Sequence, residues 1–132
     1  MPITENIIRR GQPRVYEYEL PGGWKVMAGK TDADNDRLSF KIAKANDWWF
    51  HVRGMPGSHV ILLSRPDEEP DRNTLKRAAA VAAYHSKARE GGVVAVSCTR
   101  ARYVTKPGEV KPGTVEIRKE TIFKVRPALP SN

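Results

Sequence analysis

Cysteine, histidine and, in its second half, acidic residues are what this chain has little of, and each shortage excludes something. Its lone Cys98 cannot build an intrachain disulfide framework. It sits in an apolar, strand-like run, which fits a buried thiol in a reducing compartment better than a catalytic one. His51, His59 and His85 are the only histidines, and with Cys98 they match no compact metal-ligand spacing, so neither metal nor cofactor is expected. The longest apolar runs, Val60–Leu63, Ala78–Ala83 and Val93–Val96, fall far short of the roughly 20 residues that cross a bilayer. The N-terminus, Met1 to Asn6, lacks the basic start and apolar stretch of a secretory leader, so the expected compartment is the cytoplasm and no membrane partner is expected.

At 132 residues, with 39% hydrophobic and 29% charged content, the chain is expected to form one domain, residues 1–132, with a core over about 14–127 and loose ends. The net charge of +8 is unevenly placed. Residues 1–71 carry 10 Lys/Arg against 11 Asp/Glu, whereas residues 72–132 carry 13 against 4. Concentrated positive charge on a compact domain points to a polyanionic partner, nucleic acid above all.

Val15 to Leu20 alternates apolar with acidic residues, meets Pro21-Gly22-Gly23 and returns as Trp24 to Ala28, which predicts a hairpin. Asp34 or Asn35 is placed to cap a short helix reaching about Ala43. An acidic loop, Pro66 to Pro70, precedes one long alanine-rich helix that starts at Asp71 or Asn73 and ends at Gly91-Gly92. Its small residues imply close packing on a sheet, with Arg72, Lys76, Arg77, Tyr84 and Lys87 on another side. Val93 to Val96 reads as a central strand. Arg100 and Arg102 follow in alternation, and then Lys106-Pro107-Gly108 and Lys111-Pro112-Gly113 make two turns that hold their lysines outward. A last hairpin is expected to turn Val115, Ile117, Phe123 and Val125 one way and Arg118, Lys124 and Arg126 the other. The expected fold class is α+β: a single compact domain in which a mixed or antiparallel sheet carries the long helix and the short one.

The densest wording lies in residues 47–60. As a strand, Trp48, Phe50 and Val52 share one face, while Trp49, His51 and Arg53 share the other. That second row puts a ring, an imidazole and a guanidinium together, a set suited to a nucleobase and its phosphate. Its alternative is a second packed face. Two other motifs fail. Gly29-Lys30-Thr31 matches the end of a phosphate-binding P-loop, but that loop needs glycine at position 24, where Trp24 stands, and a strand-to-helix turn in place of a hairpin strand. Ser58-His59 pairs a nucleophile with a base only by sequence, because neighbours on a strand face opposite sides.

Asp47, Trp49, Phe50 and His51 with Pro56-Gly57-Ser58-His59-Val60, then Ala82 to Arg89, then Val104 with Lys106-Pro107 and Lys111-Pro112-Gly113 with Val115, resemble in order and spacing the NFACT-R domain. That domain closes the large NFACT proteins of ribosome-associated quality control, and the resemblance spans about residues 14–127. It implies an α+β domain that binds RNA and, in the large proteins, helps hold transfer RNA on a blocked large subunit during template-free tailing. The N-terminal domain, helical hairpin region and coiled coil of those proteins are not among these residues, so tail synthesis by this chain alone is not expected.

The expectation is therefore a non-catalytic RNA-binding module for transfer RNA or large-subunit ribosomal RNA. Trp49, His51 and Arg53 would read bases or ribose, and Lys76, Arg77, Lys87, Arg100, Arg102, Lys106, Lys111, Arg118, Lys124 and Arg126 would hold phosphates. The oligomeric state is left open, with a monomer favoured. Two alternatives stand beside it: a module that docks on a ribosomal or other protein, and, last, a small hydrolase using His51 or His59.

Overall fold

Two glycines at φ of 90° and 81°, Gly22 and Gly23, reverse the chain between its first strands. The computed structural model describes residues 13–131; the sequence-based reading of the N-terminal leader region falls on residues outside them. Val15–Leu20 (β1) folds back on Trp24–Gly29 (β2), Leu20 opposite Trp24 and Val15 opposite Gly29, as alternation and turn chemistry predict.

Trp48–Val52 (β3), Val60–Leu62 (β4) and Val94–Arg100 (β5) continue the sheet, and Thr121–Val125 (β8) closes it, in the order β1-β2-β4-β3-β5-β8. Every neighbouring pair is antiparallel. The expected last hairpin does not form. Val104–Thr105 (β6) pairs instead with Glu116–Ile117 (β7) as a separate two-stranded sheet, and β8 joins β5. Thr99 Oγ1 donates to the carbonyls of Arg118 (2.6 Å) and Lys119 (3.3 Å), which steers the chain from the small sheet to the edge of the large one.

Both faces of the large sheet are covered. Arg72–Tyr84 (α2) packs its alanines on the face that carries Val26, Phe50, Val60, Leu62, Val96 and Cys98. Burial pushes the Cys98 thiol up to about 12, which removes it as a nucleophile. Asp71 caps α2 by accepting from Thr74 N, as expected, but the helix has 13 residues and stops well before Gly91. The reason is tertiary. His85 leaves helical geometry at φ −91° and ψ 45°, Ser86 Oγ donates to Ala83 O, and Ser58 N and Lys87 N bond across to His85 O and Pro56 O. On the far face, Trp49, Ile61, Leu38 and Val104 form a second core under the small sheet.

The short helix, Asp32–Arg37 (α1), continues as a π-helical turn over Leu38–Ile42, and Thr31 caps it rather than Asp34 or Asn35. Those two are one turn further in and buried. Burial raises the Asp34 carboxyl, but hydrogen bonds from Arg14 N and Thr31 together with the Arg14 charge hold it below the usual range. Among the described residues no helix is long and apolar enough to cross a membrane.

Asp47, 3% exposed, organises the entry to β3 by accepting from Lys44 N, Ser64 N and Ser64 Oγ at 2.8 to 2.9 Å. Asp47→Ala strands those donors and should cost about 2–4 kcal/mol, read as a lower urea midpoint at unchanged slope. A loss below about 0.5 kcal/mol would show that water replaces the carboxylate.

Candidate nucleic-acid interface

Where α2 breaks, two turns meet. Gly57 and Ser86 form an antiparallel bridge, and a Cβ on Gly57 would stand 2.8 Å from Ser86 Cβ and 3.1 Å from Val52 Cγ1, so only glycine permits the approach. Ser58 Oγ donates to Gly29 O at 2.6 Å and ties the same turn to the end of β2. Between these turns and the start of β1 lies a cleft of about 330 Å3.

Its floor is aromatic. The Tyr16 ring stacks on His85 with centroids 4.4 Å apart and planes 11° apart, and Tyr18 Oη donates to His85 Nε2 at 2.6 Å when the imidazole is neutral. Burial, then the Arg89 charge, pushes the His85 pKa down and favours the neutral ring, whose Nε2 accepts when its proton is on Nδ1. Three cations line the cleft: Lys30 Nζ lies 4.7 Å from the Tyr16 centroid, Arg89 lies 3.9 Å over Tyr84 and donates to its carbonyl, and Lys87 is exposed. Among the described residues the one acid lining the cleft is Asp32. Among the described residues none of the three cations is ion-paired with a carboxylate. The cleft is thus a concave, positively charged pocket, suited to a phosphate.

Of the residues expected to bind RNA, Lys87 lies here. Lys76, Arg77 and Arg126 gather along the outer side of α2, around a second hollow of about 350 Å3. Arg102 and Arg118 meet over Tyr103, while Lys111 and Lys124 are exposed singly. Other expectations are corrected. Trp49 is 2% exposed and its indole donates to Ser39 Oγ at 3.0 Å, so it is core and offers no face to a base. His51 is half-buried against Trp49 and His59, and Arg53 faces Glu120 at 3.5 Å; the row does line one hollow of about 310 Å3, with Trp49 at its closed end. Lys106 Nζ is held by Asp36 at 2.9 Å and Lys111 O at 3.1 Å, which neutralises it. Arg100 lies over Trp48 and bonds Glu69 and Asn46 O.

The residues missed were Tyr16, Lys30, His85 and Arg89, although three of the four lie in stretches already singled out. Lys30 sits in the failed P-loop match, and His85 and Arg89 sit in the motif that carries the resemblance. What brings them together is pairing across the sheet, which no local spacing reveals.

The sequence model of the family described as NFACT protein RNA binding domain matches residues 14–119. The Rqc2 homolog RqcH of Bacillus subtilis is 40% identical over 78% of the chain, and that of Streptococcus suis is 37% identical over 93%. These alignments span 18% and 22% of the relatives' own lengths. A solved structure, the C-terminal part of the fibronectin/fibrinogen-binding protein from Streptococcus suis, superposes with a TM-score of 0.80 at 36% identity, covering 92% of this chain and 48% of that one.

The histidines carry a pH signature. Burial, then the charge of His51, pushes the His59 pKa down to about 4, and burial lowers His51 and His85 as well. Unfolded histidines bind protons near 6.5 that the fold refuses, so stability falls as pH drops from about 6.5 towards 4. His59 alone should remove roughly 2 kcal/mol between pH 7 and pH 5. A urea midpoint that stays level or rises over that interval would show that the folded histidines are not held neutral.

Proposed function

Because the chain belongs to the family of NFACT RNA-binding domains, we propose that it binds structured RNA of the translation apparatus, transfer RNA or large-subunit ribosomal RNA, and does no chemistry of its own. One observation carries the reading. Lys30, Lys87 and Arg89 converge, without carboxylate ion pairs among the described residues, on an aromatic-floored cleft built by the residues of the family resemblance. Unbalanced cations in a concave site are what the phosphate backbone selects. The outer side of α2 extends the track, since Lys76, Arg77 and Arg126 lie along it. A backbone seated in the cleft and running along α2 would meet these six cations, enough to engage about five phosphates.

Such a grip on RNA fits the ribosome-associated quality control that the family resemblance implies for the large relatives, and action in the cytoplasm belongs to the same proposal. As a domain about a fifth as long as those relatives, this chain would supply the grip and not the whole activity. A protein-docking reading draws support from the solved neighbour, a fibronectin/fibrinogen-binding protein. The two readings differ in their response to salt.

Fluorescence anisotropy against transfer RNA, with single-stranded DNA of matched length as competitor, tests the proposal. For about five phosphates, log affinity should fall against log salt with a slope of roughly −3.5 to −4.5. K87Q/R89Q should weaken transfer-RNA binding about tenfold and shallow the slope by roughly 1.4 to 1.8. A flat salt response with retained binding to protein ligands would favour docking on a protein, and an unchanged K87Q/R89Q would remove the cleft from the interface.

A further inference from the structure

At the other end of the sheet, and on its other face, three cations surround one ring. Arg102, Arg118 and Lys119 stand 5.0, 5.6 and 5.9 Å from the Tyr103 centroid. The group is fixed by backbone: Tyr103 ends a 3-10 turn over Ala101–Tyr103, and Arg118 N donates to Tyr103 O at 3.1 Å. Lys119 is the one non-glycine residue with positive φ among those described, at 55°, a conformation that costs energy in a lysine and that the Thr99 hydroxyl helps hold through the carbonyls of Arg118 and Lys119. The nearest acid in sequence, Glu120, is turned away to Arg53 and Ser97 Oγ. Arg102 bonds the neutral Asn46 amide and keeps its charge. Hydrogen bonding to Arg102, then the charges of Arg102, Lys119 and Arg118, hold the Tyr103 hydroxyl below its usual range despite some burial, as expected where positive charge is unbalanced.

We infer that the Tyr103 cluster is a second RNA-backbone site, separate from the cleft, and that the domain holds two stretches of RNA at once. This rests on the proposed RNA-binding function. The separation follows from the topology. The cleft lies beyond Val52, whose side chain abuts Gly57, whereas Arg100, opposite Trp48, leads directly into the Tyr103 turn. Trp48 and Val52 are the two ends of β3, about 13 Å apart at 3.3 Å per residue. The Tyr16–His85 floor is on the α2 side of the sheet, while Val104, next to Tyr103, packs in the far core. An unstacked single strand extends to about twice the 3.4 Å per strand of a stacked duplex, so four nucleotides reach roughly 20 Å, too short to pass round an edge of the sheet and fill both sites. A folded RNA with two arms can.

The distinction is a stoichiometry. Native mass spectrometry with a four-nucleotide RNA at low salt should give two RNAs on the wild-type protein and one on R118Q/K119Q, whose substitutions leave the bonded backbone atoms of both residues in place. The same pair should weaken transfer RNA about tenfold. R102Q/R118Q repeats the test without altering Lys119, should that double variant fail to fold. One RNA on the wild type, or two on a folded R118Q/K119Q, overturns the second site while leaving the cleft intact. No RNA of either length on the wild type overturns the proposed function itself.

Discussion

A neutral imidazole at His59 is the constraint on which the arrangement turns. Its backbone N donates to Asn35 Oδ1 at 3.0 Å and its carbonyl accepts from Gly29 N at 3.1 Å. In the ring, Nδ1 accepts from Ser39 Oγ at 2.8 Å and Nε2 donates to Gly113 O at 3.2 Å, while Ser39 in turn accepts from Trp49. One buried residue thereby joins α1, the π-helical turn, the end of β2, β3 and the second Lys-Pro-Gly turn. Every polar atom in the chain of bonds is satisfied only if the imidazole is uncharged and carries its proton on Nε2. Gly29 must be glycine in this setting, because a Cβ would collide with Asn35 Oδ1.

The cleft inherits its position from that junction. With Gly29 fixed beneath His59, Ser58 reaches Gly29 O and Gly57 is pressed against Ser86, which ends α2 early. The early ending matters for charge. In a helix continued to Gly91, Lys87 and Arg89 would project about 200° apart, on opposite sides, at 3.6 residues per turn. The turn that replaces those residues lets both line one hollow with Lys30.

What could be read from the sequence was what is local. Alternation and a Pro-Gly-Gly turn gave β1 and β2, and Asp71 gave the start of α2, because strand faces and caps are set within a few residues. The helix end was not legible, since alanine propensity favours continuation and only a contact with Gly57, far upstream, opposes it. Trp49 reads equally as an exposed stacking ring or as core until a small sheet assembled from β6 and β7 is seen to cover it. Lys106 looks free beside proline and glycine, and its partner Asp36 lies on another element entirely. The charge asymmetry pointed correctly to a basic second half, yet it could not say which cations the acids of the first half would neutralise.

Aromatic rings separate the two kinds of cation. Nine lysines or arginines among the described residues lie over a ring. Arg65, Arg100 and Lys106 are also ion-paired, with Glu68, Glu69 and Asp36, so ring and carboxylate together make them structural. The other six have no carboxylate ion pair, and five of them are Lys30 and Arg89 at the cleft and Arg102, Arg118 and Lys119 at Tyr103. A ring restrains a cation through its quadrupole without cancelling its charge, so the side chain keeps its attraction for phosphate and loses less entropy when phosphate arrives. A carboxylate does the reverse: it fixes the side chain and neutralises it. Under the proposed function the unpaired cations over rings are the ones prepared to meet a polyanion, and five of the six collect at two places on this fold.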